Sequence, residues 1–327
     1  MPSLPEPRGA ASAALFAALR RSPGELRLPA ADDAEDLQLA LYCCYELHYR
    51  GFDGVDAGWE WAPDLLAARA ALEAPFEADL LELAGPPGPP PEPGEIDAVL
   101  RELIAADDGP ALSRHLERDA TPEQALEFVV HRSAYQLKEA DPHSWAIPRL
   151  WGAPKAALVE IQADEYGGGR PERMHSALFA QSMEALGLDP RYGAYLDRIP
   201  GVTLATVNLM SLLGLHRRRR GALVGHLAVF EMTSSIPNRR YANGFRRLGW
   251  EAATPFFDVH VTADAVHESI AAADLAGGLA RQDPALGADV LWGARALLAV
   301  EARWARHLLS AWAEGETSLR PPAAVPA

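Results

Sequence analysis

The amino-acid sequence predicts an all-α protein. Apolar residues recur every three or four positions over most of the 327 residues, which is the spacing of a buried helix face. Runs of alternating Val, Ile and Thr bounded by tight turns, which are typical of strands, are nearly absent. No internal repeat with a period of about 20–50 residues is evident, so a solenoid is not expected.

Local start and stop signals delimit the predicted helices. Asp33 offers an N-cap to one helix, and Thr121 followed by Pro122 offers a cap and an N1 proline to another. Three glycines at 167–169 interrupt the helical pattern, and a polar loop is expected at residues 237–240. The predicted helices cover residues 10–21, 32–52, 63–83, 95–106, 121–138, 155–165, 171–186, 189–214, 223–234, 256–268 and 285–313.

A proline-rich segment divides the chain. Residues 84–94 cannot form a helix or a central strand, because their many prolines lack the backbone N–H. We therefore expect an N-terminal helical subdomain at residues 1–84, a linker at 85–98, a main helical domain at 99–315 and a frayed tail at 316–327. The apolar helix at residues 37–47 leads to the hypothesis that the subdomain pairs two chains as a homodimer.

Composition excludes several classes of protein. The net charge of −15 argues against a nucleic-acid partner, which calls for a basic surface. No apolar run approaches the roughly 20 residues of a membrane span, and the N-terminus lacks a secretory pattern. The only cysteines, Cys43 and Cys44, are adjacent in a helical segment and poorly placed to pair with each other. We expect a cytoplasmic protein with reduced, buried thiols.

The segment from Phe256 to Glu268 carries the strongest functional signal. Read as a helix, it places His260, Asp264 and His267 at positions i, i+4 and i+7, on one stripe of its surface. Two imidazoles and a carboxylate among apolar residues are costly to bury unless they bind something. Zinc and non-haem iron both suit such ligands, and an exposed polar helix face is the alternative interpretation. We call these three residues the His/Asp/His triplet.

Further acids and a histidine lie in other predicted helices, where facing helices of a bundle could present them to one metal centre. Glu165 precedes the three glycines, which permit a bend that re-aims His175 on their far side. Glu231 ends an apolar run, where a single carboxylate needs a partner. Glu139 ends the helix at 121–138, and its alternative role is an ion pair with Lys138 or an arginine.

In this order, Glu165, His175, Glu231 and the His/Asp/His triplet resemble the ligands of the haem-oxygenase-like di-iron oxidases and oxygenases. The resemblance covers roughly residues 100–312. It implies a seven-helix haem-oxygenase-like bundle for the main domain. It also implies two Fe(II)/Fe(III) ions, O₂ as co-substrate and an external electron donor.

Under this resemblance, Glu165 and His175 would hold one iron together with one histidine of the triplet. Asp264 and the other histidine would hold the second iron, and Glu231 would bridge or cap. Which histidine serves which iron stays open. Members that oxygenate nitrogen are similar but have a seventh, carboxylate ligand from an earlier helix, and Glu139 lies where that ligand would be. Asp258 or Glu268 is expected to orient a ligand histidine.

Other polar residues compete for a role at the site. Glu127 and His131, at i and i+4, form a rival ligand pair. The remaining candidates are interpreted as core, loop or pocket-lining residues: His226 as a core histidine, His143 as a loop residue, Glu46 and His48 as packing between the N-terminal helices and the core, and Tyr166, Arg239, Arg240 and Tyr241 as lining for a substrate pocket or as surface residues.

The resemblance leads to a functional hypothesis with two alternatives. The favoured function is an O₂-dependent di-iron oxygenase that N-oxygenates an amine of a small metabolite in a biosynthetic pathway. This preference depends on Glu139. The first alternative is a di-iron oxidase that desaturates, or cleaves a C–C bond in, a fatty acid or amino acid. The second, of another class, is a non-catalytic scaffold or partner protein. A long apolar tunnel would favour a fatty substrate, and a short polar pocket would favour a small amine.

Overall fold

A computed structural model describes residues 1–321, with all of their side chains except those of residues 264 and 265. Within this range the secondary structure is entirely helical, which confirms the predicted fold class. Short 3₁₀ turns and one π-helix join the α-helices. The α-helices are α1 (Ala10–Leu19), α2 (Ala34–Glu46), α3 (Pro63–Ala84), α4 (Ile96–Ala105), α5 (Leu112–Arg118), α6 (Pro122–Gln136), α7 (Asp141–Ser144), α8 (Gly152–Glu165), α9 (His175–Ala185), α10 (Gly201–Leu215), α11 (Arg220–Arg247), α12 (Pro255–Ser269), α13 (Gly278–Gln282) and α14 (Gly287–Ala313).

The helix boundaries follow the capping signals in the sequence. The Asp33 carboxylate accepts a hydrogen bond from the Asp36 backbone N–H at 3.0 Å and so caps α2. At the start of α6, Thr121 and Gln124 form a reciprocal capping box, with Pro122 at the first helical position. Both caps occupy the places that the sequence predicts.

The polar loop predicted at residues 237–240 is wrong, because α11 continues through it to Arg247. A proline inside a helix removes one backbone hydrogen bond, here the one to the Thr233 carbonyl. Packing of α11 against α12 and α14 along its length offsets that loss. The Asn238 side chain also donates to the Ser234 carbonyl at 3.1 Å, which satisfies a backbone acceptor beside Pro237.

Two glycines let α11 and α14 pack with their backbones in contact. A Cβ atom added at Gly225 would overlap the Val290 carbonyl, and one added at Gly293 would overlap the Ala222 carbonyl. Neither helix can therefore carry a side chain at the crossing. This crossing fixes the position of α11 in the centre of the molecule, from which it also contacts α12.

The N-terminal helices share the core of the rest of the chain. Leu39 and Leu41 of α2 are fully buried and belong to the same hydrophobic cluster as Leu213 of α10 and Trp292 of α14. The apolar face that suggested a homodimer is therefore covered by helices of the same chain. The predicted linker also packs, since Trp292 Nε1 donates to the Gly85 carbonyl at 2.9 Å.

The sequence predicts no membrane-spanning helix and buried, reduced thiols at Cys43 and Cys44. None of the helices in the described range is long and apolar enough to cross a bilayer. Cys43 and Cys44 are buried with unpaired thiols, as the sequence predicts. Burial raises the pKa of the Cys44 thiol to about 12, so this thiol has little thiolate at neutral pH.

Candidate metal centre

Carboxylates and histidines from five parts of the chain converge between α8, α9, α11 and α12. All of them but Glu139 are buried, and Glu139 is largely covered. The six residues come from five local structures: Glu139 from the turn between α6 and α7, Glu165 from the last residue of α8, His175 from the first residue of α9, Glu231 from α11, and His260 and His267 from α12.

The first ligand group consists of Glu139, Glu165, His175 and His260, whose potential ligand atoms all lie within 4.8 Å of one another. His175 Nδ1 is 2.9 Å from Glu165 Oε2 and 4.0 Å from Glu139 Oε2. His260 Nε2 is 3.5 Å from Glu139 Oε1. Two carboxylates and two imidazoles therefore face one small volume.

The second ligand group consists of Glu165, Glu231 and His267, again with potential ligand atoms within 4.8 Å of one another. His267 Nδ1 lies 3.2 Å from Glu231 Oε2. The Nε2 atom of the same ring lies 3.0 Å from Asp164 Oδ2. The sequence does not single out Asp164, because an exposed acid at a helix end is ordinary.

Glu165 belongs to both ligand groups, so they adjoin at its carboxylate. The resemblance implies that Glu231 bridges or caps, whereas Glu165 is the residue that the two ligand groups share. His260 lies in the first group and His267 in the second, which separates the two histidines that the sequence could not assign. The Asp264 side chain lies outside the described part of the chain.

The ring of His260 is oriented by its own helix. Its Nδ1 atom donates to the Phe256 carbonyl, one turn earlier, at 2.7 Å, which leaves Nε2 directed at the first ligand group. The expected orienting roles of Asp258 and Glu268 are wrong. Both carboxylates instead pair with arginines, Arg246 and Arg101 respectively, near the surface.

The electrostatics of the site fit a bound cation. Burial raises the pKa of the Glu139 and Glu231 carboxyls, and the neighbouring Glu165 raises both further. Burial opposes protonation of His267, but contacts with Glu231 and Asp164 outweigh it and raise the pKa of this imidazole to about 9. A metal ion would replace these protons and neutralise the crowded acids. Neutral imidazole and carboxylate ligands suit iron.

Glu139 is aimed at the site by a break in the backbone after α6. Ala140 has a φ of 64°, a conformation that non-glycine residues rarely adopt, and its carbonyl accepts a 2.9 Å hydrogen bond from Gln162 Nε2. Lys138 lies elsewhere, 3.0 Å from Glu46, so the alternative pairing of Glu139 with Lys138 is absent from the described residues. The helix is interrupted at Ala140, directly after Glu139, and the Glu139 carboxylate faces His260 and not Lys138.

The triple-glycine turn positions His175. Gly167, Gly168 and Gly169 all have positive φ values, of 65°, 59° and 79°. A Cβ atom at Gly167 would lie 2.6 Å from the Arg173 carbonyl carbon and 2.7 Å from the Met174 nitrogen, next to His175. Close packing of the turn on residues 173–174 therefore sets where α9 begins.

The rival pair Glu127 and His131 serves the C-terminal segment instead. Glu127 accepts hydrogen bonds from Trp312 Nε1 at 2.8 Å and from the Ser318 backbone N–H at 2.9 Å. His131 Nε2 lies 3.0 Å from the Ser318 hydroxyl. These contacts fasten residues 317–320, so the frayed tail expected from residue 316 does not begin there.

The remaining candidate residues belong to neither ligand group. His143 is buried in α7 and not in a loop, and its Nε2 lies 3.1 Å from Nδ1 of the buried His226. The Tyr166 hydroxyl donates to Asp141 at 2.8 Å, and Tyr166 lines neither of the cavities described below. Arg239 is exposed, and Arg240 donates to Ser113 at 3.1 Å.

One cavity is lined by ligand residues, and a second cavity adjoins it. The metal-side cavity, of about 40 Å³, is lined by Glu139, Glu165, Glu231 and His260 among others. The aromatic chamber, of about 240 Å³, has Tyr241 in its wall, in line with one of the pocket predictions. Four residues line both cavities, and we call them the neck: Gln136, Phe230, Ser234 and Asn238.

The fold and the two ligand groups define an all-helical protein with a buried site of carboxylates and imidazoles suited to iron. A family model described as an iron-containing redox enzyme, of haem-oxygenase-like type, matches residues 126–302, which is more than half of the chain. The chain therefore belongs to this family and is an iron-containing oxidoreductase with a haem-oxygenase-like fold. It matches no curated protein.

We predict that Gly167→Ala impairs the site more than Gly168→Ala does. Each change places alanine at a positive φ, which costs about 1–2 kcal/mol. Only Gly167→Ala adds an overlap with the backbone at Arg173 and Met174, because Gly168 has no atom within 4 Å of its added Cβ. We expect lower iron content and a lower denaturation midpoint for Gly167→Ala. Equal values for the two variants would contradict this role of the turn.

Proposed function

We propose that this protein is an O₂-dependent non-haem di-iron oxygenase that N-oxygenates an amine. The di-iron proposal depends on one observation: Glu165 belongs to both of the adjoining ligand groups. One carboxylate common to two such groups is a suitable bridge between two cations. A mononuclear centre would leave either Glu231 and His267 or the first group without a role.

The ligand residues supply the framework for two irons. Glu139, Glu165, His175 and His260 would hold the first, and Glu165, Glu231 and His267 would hold the second. Bound iron supplies the capacity to bind and reduce O₂, which side chains lack. The buried setting of the ligands keeps bulk water from the centre, and the Phe256 carbonyl fixes the His260 ring.

The proposed first reaction converts an amine to a hydroxylamine. One oxygen atom of O₂ enters an N–H bond of the substrate, and the other leaves as water. The balance takes two electrons and two protons, which an external electron donor and the solvent supply. Each further step, first to the nitroso and then to the nitro product, would take one more O₂ with two electrons and two protons from the same sources, and would release the remaining oxygen as water.

Glu139 supports nitrogen as the oxidised atom. The resemblance associates a seventh, carboxylate ligand with family members that oxygenate amines, and Glu139 Oε1 lies 3.5 Å from His260 Nε2. The desaturase or C–C-cleaving alternative has no specific observation in its favour: the adjoining chamber has a volume of about 240 Å³ and several aromatic side chains in its wall. A scaffold role would leave the buried ligand groups without a purpose.

The iron stoichiometry tests the di-iron proposal. We predict that anaerobic reconstitution with Fe(II), followed by elemental analysis, gives two irons per chain. His267→Ala removes the imidazole of the second ligand group, so this variant should retain about one. Glu268→Ala is the matched control, because Glu268 follows His267 in α12 but pairs with Arg101. Well under two irons in the unmodified protein, or an unchanged count in His267→Ala, would contradict the proposal.

Replacement of Glu139 tests the choice of nitrogen chemistry. We predict that Glu139→Ala lowers O₂-dependent amine oxidation at least 100-fold, because the first ligand group loses a carboxylate. Glu160→Ala, an exposed glutamate of α8, is the control and should keep full activity. Product formation is followed by mass spectrometry of the hydroxylamine. Full activity of Glu139→Ala would remove Glu139 from the site.

A further inference from the structure

The wall of the aromatic chamber indicates the shape of its ligand. Rings of Phe128, Phe179, Phe257, Tyr241 and Trp304 make up much of the lining. An apolar cavity of about 150 Å³ in another protein is known to hold one benzene molecule. The chamber, at about 240 Å³, therefore has room for one aromatic ring with a short side chain.

The charged groups of the chamber disfavour an anion. Arg132 is the cation of the wall, and both of its terminal nitrogens donate to the Glu301 carboxylate, at 3.0 and 2.8 Å. The guanidinium also stacks on Trp304, 4.0 Å from the ring centroid. Asp107, an exposed residue, adds a negative charge to the lining. A carboxylate ligand would have to displace Glu301 from Arg132.

The neck offers an acceptor where the chamber meets the metal-side cavity. Gln136 lines both cavities, and no described residue donates a hydrogen bond to its buried Oε1 atom. A buried acceptor without a donor is costly, so a ligand N–H at this point would be favourable.

We propose that the aromatic chamber binds an arylalkylamine, with one aromatic ring among the aromatic side chains and the amino group at Gln136 in the neck. The assignment rests on the proposed N-oxygenation for the fate of the amine. Recognition of the ligand depends on three features: the size and aromatic wall of the chamber, the pairing of Arg132 with Glu301, and the Gln136 acceptor in the neck. Aromatic faces also attract an ammonium group, which adds to the preference for an amine.

Calorimetric binding to the full-length, iron-loaded protein tests this proposal. It is run without O₂, so that no turnover occurs, with 2-phenylethylamine, phenylacetate and decanoate as probes. We expect one 2-phenylethylamine per chain, bound at least tenfold more tightly than either acid. Equal or tighter binding of phenylacetate or decanoate would overturn the proposal.

Two tryptophan substitutions on α14 locate the binding site. Leu298 lines the chamber, so Leu298→Trp should lower the affinity for 2-phenylethylamine at least tenfold. Leu309 is similarly half-buried but does not line it, so Leu309→Trp should change the affinity less than twofold. Ala305→Leu, a smaller filling change in the same wall, replaces Leu298→Trp if that variant does not fold. Unchanged binding in the filled variants would overturn the assignment of the chamber.

Ligand binding and amine oxidation, measured separately, distinguish a failure of the chamber assignment from a failure of the proposed N-oxygenation. Binding of 2-phenylethylamine that the filling variants abolish, without oxidation of any arylalkylamine in O₂, supports the chamber and contradicts N-oxygenation. Oxidation of an amine at the same rate in Leu298→Trp supports N-oxygenation and overturns the chamber.

Discussion

Burial of several ionisable side chains in one small volume is the constraint on which the structure depends. Two glutamates and three histidines have potential ligand atoms within 4.8 Å of the Glu165 carboxylate, and these side chains are mostly shielded from water. Each group is costly to bury alone, and the raised pKa values of Glu139 and Glu231 reflect that cost. Bound iron would relieve the cost by replacing protons as the counter-charge, which would couple metal binding to the stability of this region.

The same constraint explains where the helices break and where they do not. Glu165 and His175 lie at helix ends and Glu139 lies in the turn after α6. Two irregular backbone segments adjoin them: the positive φ of Ala140 and the glycine turn at 167–169. In contrast, α11 and α12 bring their ligands from helix interiors. The close crossing of α11 with α14 at Gly225 and Gly293 holds that half of the site in place.

The sequence predicts most of the fold and much of the candidate site, because helix periodicity and capping are local signals. His260 and His267 share a stripe by spacing alone, and the glycines before His175 indicate a bend. Long-range contacts are not visible in this way. Glu127 and His131 have the spacing of a ligand pair, yet they bind Ser318, which lies far along the chain. The break at Ala140 and the continuation of α11 through Pro237 likewise depend on tertiary packing.

We propose that Glu165 joins two metal sites. The iron content per chain of two glutamate variants, Glu231→Ala and Glu165→Ala, tests this role. After anaerobic Fe(II) reconstitution, we predict that Glu231→Ala retains about one iron per chain, because only the second ligand group is affected. Glu165→Ala should retain almost none, because both groups lose a ligand. Glu160→Ala, an exposed change on the same helix as Glu165, should retain two. Retention of one iron by Glu165→Ala, as by Glu231→Ala, would contradict a shared carboxylate.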